Sequence, residues 1–267
     1  AVLTSIDRGL AFVRKAHFQD VETILLIQRH LVEHLRDPNA ASPAGAGFLP
    51  DTLLPGTRDP MPTLMFWYWL YKALAHFAAG EFAQAADDLS TAGTLSWSAP
   101  GHIHLLDYHL FSILSLTQQL TPESITPAHR RWLQPHYRKL ALWAQLNPGT
   151  FADKEALVYA EMARLDAHYS LAMKLYEKAI RLSREAAFDH INGLAHELAG
   201  RFVQARSYPT AADAHFRGAM AAWGRCGAQA RVRQLERQYP HLVVPRHTSP
   251  YDTIAFAQNE EIRDLQS

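Results

Sequence analysis

Residues 160–180, AEMARLDAHYSLAMKLYEKAI, and residues 200–220, GRFVQARSYPTAADAHFRGAM, carry the same pattern. Ala160, Ala172, Tyr176, Ala179 and Ile180 return 40 positions later as Gly200, Ala212, Phe216, Ala219 and Met220. Ala73, Ala85, Leu89 and Ala92 repeat the internal spacing upstream. A small residue on a first helix lets a second helix approach closely, and a small residue on the second receives the contact. The large residue four positions later and the small one seven later share a helix face and fill the seam to the next hairpin. One hairpin cannot bury both of its faces, so such units must stack.

The period is longer than the roughly 34 residues of a standard tetratricopeptide repeat. The spacing still resembles the tetratricopeptide pattern, and that resemblance implies the expected fold: all-α, antiparallel helical hairpins stacked as a TPR-like right-handed superhelix, an α-solenoid.

Outward from this core, helical periodicity predicts helices near 3–16, 19–36, 62–79, 82–97, 102–119, 127–146, 151–165, 168–186, 189–205, 209–224 and 228–238. Gly80, Pro100-Gly101, Pro122, Pro127 and Asn147-Pro148-Gly149 punctuate them. The pairs at 3–36 and 102–146 do not follow the small–large spacing. Residues 37–62 hold six prolines and three glycines, a composition that excludes a helix; the segment reads as an insertion or as a lid over a site. The expected organisation is one repeat domain over 1–242 and a tail or linker over 243–267. The helical pattern starts at Ala1, which suggests a piece of a longer polypeptide.

Composition narrows the function classes. The 267 residues are 48% hydrophobic, enough for a sizeable core. Lys+Arg and Asp+Glu both total 26, so no net charge points to nucleic acid or to an anionic membrane. No run of 18 apolar residues is present, and no signal peptide is visible. Cys226 is the single cysteine, which fits a reducing, cytoplasmic setting. No phosphate-binding Gly-x-x-x-x-Gly-Lys-Ser/Thr loop, Gly-x-Ser-x-Gly elbow or kinase motif set occurs. The expected protein is not an enzyme and needs no cofactor.

Several stretches carry a family resemblance: RGLAFVRK at 8–15, PTLMFWYWLYKALAHFAAGEFAQA at 62–85, PGHIHLLDYHLFSILSL at 100–116, LYEKAIRLSREAAFDHINGLAHELAGRF at 175–202 and WGRCGAQARVRQLERQYPHL at 223–242. Together they resemble the tetratricopeptide-like repeat region of large multidomain signalling ATPases. In those proteins an AAA/STAND-type ATPase module precedes the repeats, and GAF, histidine-kinase or other output modules often follow. The resemblance implies a non-catalytic sensor, relay or interaction domain. Its partners would be other domains of the parent protein, a small molecule or peptide, or a second copy. Gly193 and Gly200 depart from the pattern and are expected to loosen their helix.

Candidate site residues follow from register. As the resemblance implies, the residues one place after Ala73, Ala160 and Gly200 face a concave groove. That puts Trp67, Leu70 and Leu74 there as apolar contacts. Lys154, Glu161 and Arg164 would face inward from the fourth pair, and Glu197, Arg201 and Gln204 from the fifth. Glu197 and Arg201 stand i, i+4 and can pair, and Glu161 is expected to meet Arg201 across the groove. Either a salt-bridged surface or a ligand-binding wall accounts for these charges.

Other motifs have plainer readings beside the chemical one. His30, Glu33 and His34 fit H-x-x-E-H, a zinc-enzyme pattern, with no third ligand identified; the alternative is a solvated helix end. His102, His104 and His109 read as packed or exposed histidines before they read as a metal site. Arg225, Arg231, Arg233 and Arg237 make the cap helix basic, as a solvated face or a docking face. Cys226 reads as inert packing.

Overall fold

A computed structural model describes residues 2–36 and 61–243. Among these residues there are eleven α-helices and no strand: α1 (Val2–Lys15), α2 (Gln19–Arg36), α3 (Pro62–Ala79), α4 (Phe82–Leu95), α5 (His104–Thr117), α6 (Pro127–Leu146), α7 (Pro148–Leu165), α8 (Tyr169–Glu185), α9 (Asp189–Gln204), α10 (Pro209–Cys226) and α11 (Gln229–Gln238). No described helix is long and apolar enough to cross a membrane. The Pro/Gly-rich segment, except for Met61 and Pro62, and the tail beyond Val243 lie outside the described residues, and with them the choice between insertion and lid.

The starts and stops follow local chemistry. Proline occupies the first position of α3, α6, α7 and α10, where its missing N–H costs nothing. Asn147-Pro148-Gly149 therefore begins α7 within the first turn rather than lying between helices. Thr126 caps α6: its hydroxyl accepts from the His129 N–H, and its own N–H donates to His129 Nδ1, both at 3.2 Å. The last four connections are alike. Ala167, Ala187, Ser207 and Gly227 are left-handed, with φ of 58°, 57°, 63° and 82°, each 20 residues after the last. The following N–H groups, of His168, Phe188, Tyr208 and Ala228, donate to the carbonyls of Ala163, Ser183, Val203 and Trp223 at 2.9–3.1 Å. This is the Schellman arrangement. It turns the 40-residue recurrence into two equal helix-plus-turn steps.

Packing follows chain order, each helix from α1 to α9 touching the next. The contacts of α9 with α10 fix direction: a Cβ on Gly193 would meet the Trp223 ring at 2.8 Å, and one on Gly200 would meet the Phe216 ring at 2.7 Å. Seven residues forward on α9 correspond to seven back on α10, so the two helices are antiparallel. The same contacts give these glycines a use that the sequence did not show. In the structure they are the recesses that seat two aromatic rings. The repeat positions Ala160, Ala172, Tyr176, Ala179, Ala212, Phe216 and Ala219 are all buried, as are Ala73, Ala85, Leu89 and Ala92. Alternate helices also touch: α3 with α5, α5 with α7, and α7 with α9.

Residues up to Leu235 form one compact unit and Glu236 opens a second. In the second, the described part is the end of α11, Tyr239, the 3-10 turn Pro240–Leu242 and Val243.

Candidate functional site

The C-terminal turns of α5, α7 and α9 line one cleft of about 400 Å3. Gln118 and Leu120–Glu123 follow α5, Glu161 and Arg164 belong to α7, and Leu198, Arg201 and Phe202 belong to α9, with Ala205 and Arg206 just beyond it. Tyr169, opening α8, completes the wall.

A buried polar network runs behind this wall. Glu161 is buried in α7, and its carboxylate accepts from the Tyr176 hydroxyl, from Gln118 Nε2 at 2.9 Å and from Arg164 Nη2 at 2.7 Å. Burial, with the Glu161 charge beside it, pushes the Tyr176 hydroxyl well above its ordinary value, so it stays a donor. Arg164 also donates to the Thr117 carbonyl at 2.6 Å and the Leu120 carbonyl at 3.3 Å, closing the exposed end of α5. The Gln118 amide then accepts from Arg201 Nη1 at 3.3 Å. Arg201 Nη2 donates to the buried Glu197 at 2.5 Å. Arg231 donates to the same Glu197 carboxylate, to the Ala78 carbonyl at 2.7 Å and to Gln234. One carboxylate, Glu197, thus serves two guanidinium groups.

Arg206 is different. Its guanidinium lies between two rings, 3.7 Å from the Tyr169 centroid and 3.8 Å from that of Phe202. It donates to the Phe202 carbonyl at 2.9 Å, and its Nε is out of solvent without an acceptor. No carboxylate of the described residues pairs with it. The Tyr169–Arg206–Phe202 cluster is shared with a second, more apolar cleft of about 550 Å3 that includes Met173 and Tyr208.

Of the nine groove residues expected from register, Glu161, Arg164 and Arg201 line the first cleft. Glu161 and Arg201 do not meet directly; Gln118 bridges them. Glu197 stands behind the wall as the partner of Arg201. The other five lie elsewhere. Leu70 is wholly buried among Phe66, Ala73, Leu89 and Ala92, so it is core and not groove. Trp67 packs beside that cluster, its ring 4.2 Å from His104, and Leu74 packs on Ile27, Leu31 and Tyr68. Lys154 is buried, its Nζ 2.8 Å from the Thr150 carbonyl, 3.2 Å from Asp153 and over the Phe188 ring. Burial pulls its pKa down against the pull of Asp153. Gln204 is exposed and outside the cleft lining.

The remaining motifs resolve similarly. Glu33 accepts from Arg29 Nε at 2.8 Å, and among the described residues no group of three His, Cys, Asp or Glu is placed to hold a metal ion. His109 and His136 share an Nδ1–Nδ1 contact of 3.0 Å, and His196 and His215 one of 3.2 Å. Arg231 is buried in the network rather than solvated, and Arg225 pairs with Asp189 at 2.7 Å. Cys226 is exposed rather than packed, its Sγ 3.3 Å from the Trp223 carbonyl. Sequence reasoning missed Gln118, Arg206 and the role of Arg231. Gln118 lies in the pair that breaks the small–large spacing, and Arg206 lies past the end of its helix.

No protein-family model, no curated protein and no solved structure matches this chain.

Proposed function

We propose that this chain is a non-catalytic binding module, a stack of helical hairpins that acts as the sensor or relay portion of a multidomain signalling protein. The observation that carries the reading is the cleft at the ends of α5, α7 and α9. Its polar wall is tied together across three helices by Glu161, Gln118, Arg201 and Glu197, so an occupant that recruits Arg201 acts on all three at once. The contacts of α3 with α5, α5 with α7 and α7 with α9 support a solenoid-like stack, in which such clefts recur between neighbouring hairpins. The signalling context rests on the sequence resemblance.

A thermal-shift screen of small molecules and peptides tests the reading, run in parallel on the wild type and on Ala205→Trp. Ala205 is exposed in the lining, so the indole fills the cleft without removing a charge. Ligands should stabilise the wild type and lose their effect in the variant. Ligands that stabilise both equally would count against the cleft.

A second reading, assembly with further copies, is favoured by one observation: Trp132, Leu142 and Leu146 are exposed apolar residues on α6. Sedimentation over a concentration series, with Leu142→Glu and Leu146→Glu as controls, separates it from the first.

A further inference from the structure

We infer that the cleft takes a small organic acid, its carboxylate held by Arg206 and Arg201 and its apolar body laid against Leu120, Leu198 and Phe202. The inference rests on the binding reading above and names the ligand chemistry.

Charge is the first argument. Arg201 and Arg231 share Glu197, and Arg206 has no acidic partner, so two positive charges stand uncompensated. The helix ends oppose this, each carrying roughly half an elementary negative charge. The α5 end is already met by Arg164. The α7 and α9 ends together therefore offset only about one of the two. Glu123, at the rim, is exposed and screened by water. The surplus is positive and favours an anion.

Donor geometry is the second argument. Arg164 has its Nε, Nη1 and Nη2 all engaged. Arg201 uses only its two Nη atoms, one each, and Arg206 uses one. The Arg206 guanidinium already rests against the tyrosine and phenylalanine rings, which lowers its ordering cost when a ligand arrives. A planar guanidinium presents paired N–H groups that match a planar carboxylate. The third argument is the rest of the lining: Leu120, Leu198, Phe202 and Ala205 offer nothing to a compact, fully hydrated ion and suit an apolar body.

Calorimetric titration of the full chain tests this with named probes: phenylacetate and hexanoate as organic acids, phenylacetamide as the neutral isostere, phenethylamine as the cation and inorganic phosphate as the bare anion. The organic acids should bind at least tenfold more tightly than every other probe. Arg206→Gln and Ala205→Trp should each reduce that binding at least tenfold, with helical circular dichroism unchanged. Arg206→Gln leaves the Glu161–Glu197 network intact, so its loss is not a folding effect. Phenylacetamide or phenethylamine binding as tightly as phenylacetate, blocked by Ala205→Trp, would overturn the acid assignment while leaving the cleft as a binding site. Phosphate binding as tightly would overturn the apolar part. Organic-acid binding that survives Ala205→Trp would overturn both this inference and the cleft reading.

Discussion

Adding one methyl group at Gly200 tests the hairpin packing with opposed forces. An alanine Cβ there would stand 2.7, 2.9 and 3.1 Å from three Phe216 ring atoms. Carbon atoms prefer about 3.5–4.0 Å, so the ring must retreat by close to 1 Å. Phe216 is wholly buried, so its retreat would push on the core around it. Overpacking a core of this kind costs about 1–3 kcal/mol. Against this, alanine is favoured over glycine within a helix by about 1 kcal/mol. The balance is a destabilisation of about 0–2 kcal/mol, or a fall in melting temperature of up to roughly 4 °C at about 2 °C per kcal/mol for a chain of this size. Thermal unfolding followed by circular dichroism reads the shift. Gly200→Ala combined with Phe216→Leu should recover part of the loss relative to the sum of the two single changes, because the clashing ring edge is gone. A Gly200→Ala protein that melts higher than the wild type would refute the reasoning, since helix propensity would then outweigh a contact held to be rigid.

Three further outcomes follow from the same structure. Glu161→Leu strands the half-buried Arg164 and the buried Tyr176 hydroxyl and should cost about 3 kcal/mol in urea unfolding; a loss below about 1 kcal/mol would mean water serves that site. Ala187→Gly relieves a left-handed alanine and should stabilise by about 0.5–1 kcal/mol, after the added freedom of glycine in the unfolded chain is subtracted; destabilisation would show that this turn is not under steric cost. Burial lowers His109 to about 3 and His136 and His196 to about 4, against 6.5 when unfolded. The unfolded chain therefore binds these protons first, so stability should fall as pH drops from about 6.5 towards 4 and stay flat in this respect above about 7. Melting curves at stepped pH check it: His136→Asn combined with His196→Asn should flatten that acid slope, and an unchanged slope would rule these groups out.

The fold was legible because small and large residues recur on a helical period, and that pattern survives without any knowledge of turns. The turns themselves were hidden. Ala167, Ala187 and Ser207 occupy left-handed positions where glycine would have announced the motif, so the 20-residue step went unread although it underlies the 40-residue one. Glycine misled in the opposite direction at 193 and 200, where only the ring partners, respectively 30 and 16 positions further along the chain, reveal its use. Register found Glu161, Arg164 and Arg201 because charge within a helix projects at a fixed angle. It failed for Leu70, since an aromatic-rich helix such as α3 buries more than one face. It could not reach Arg206, whose direction is set by a turn and two rings rather than by helical period.

The most direct test of the binding account is a crystal structure of the full chain with the strongest ligand from the thermal-shift screen. The account predicts that ligand at the ends of α5, α7 and α9, in contact with Arg201 and Arg206. A ligand seated instead against Leu25, Leu31 and Tyr71, in the apolar cleft between α1, α2 and α3, would contradict it.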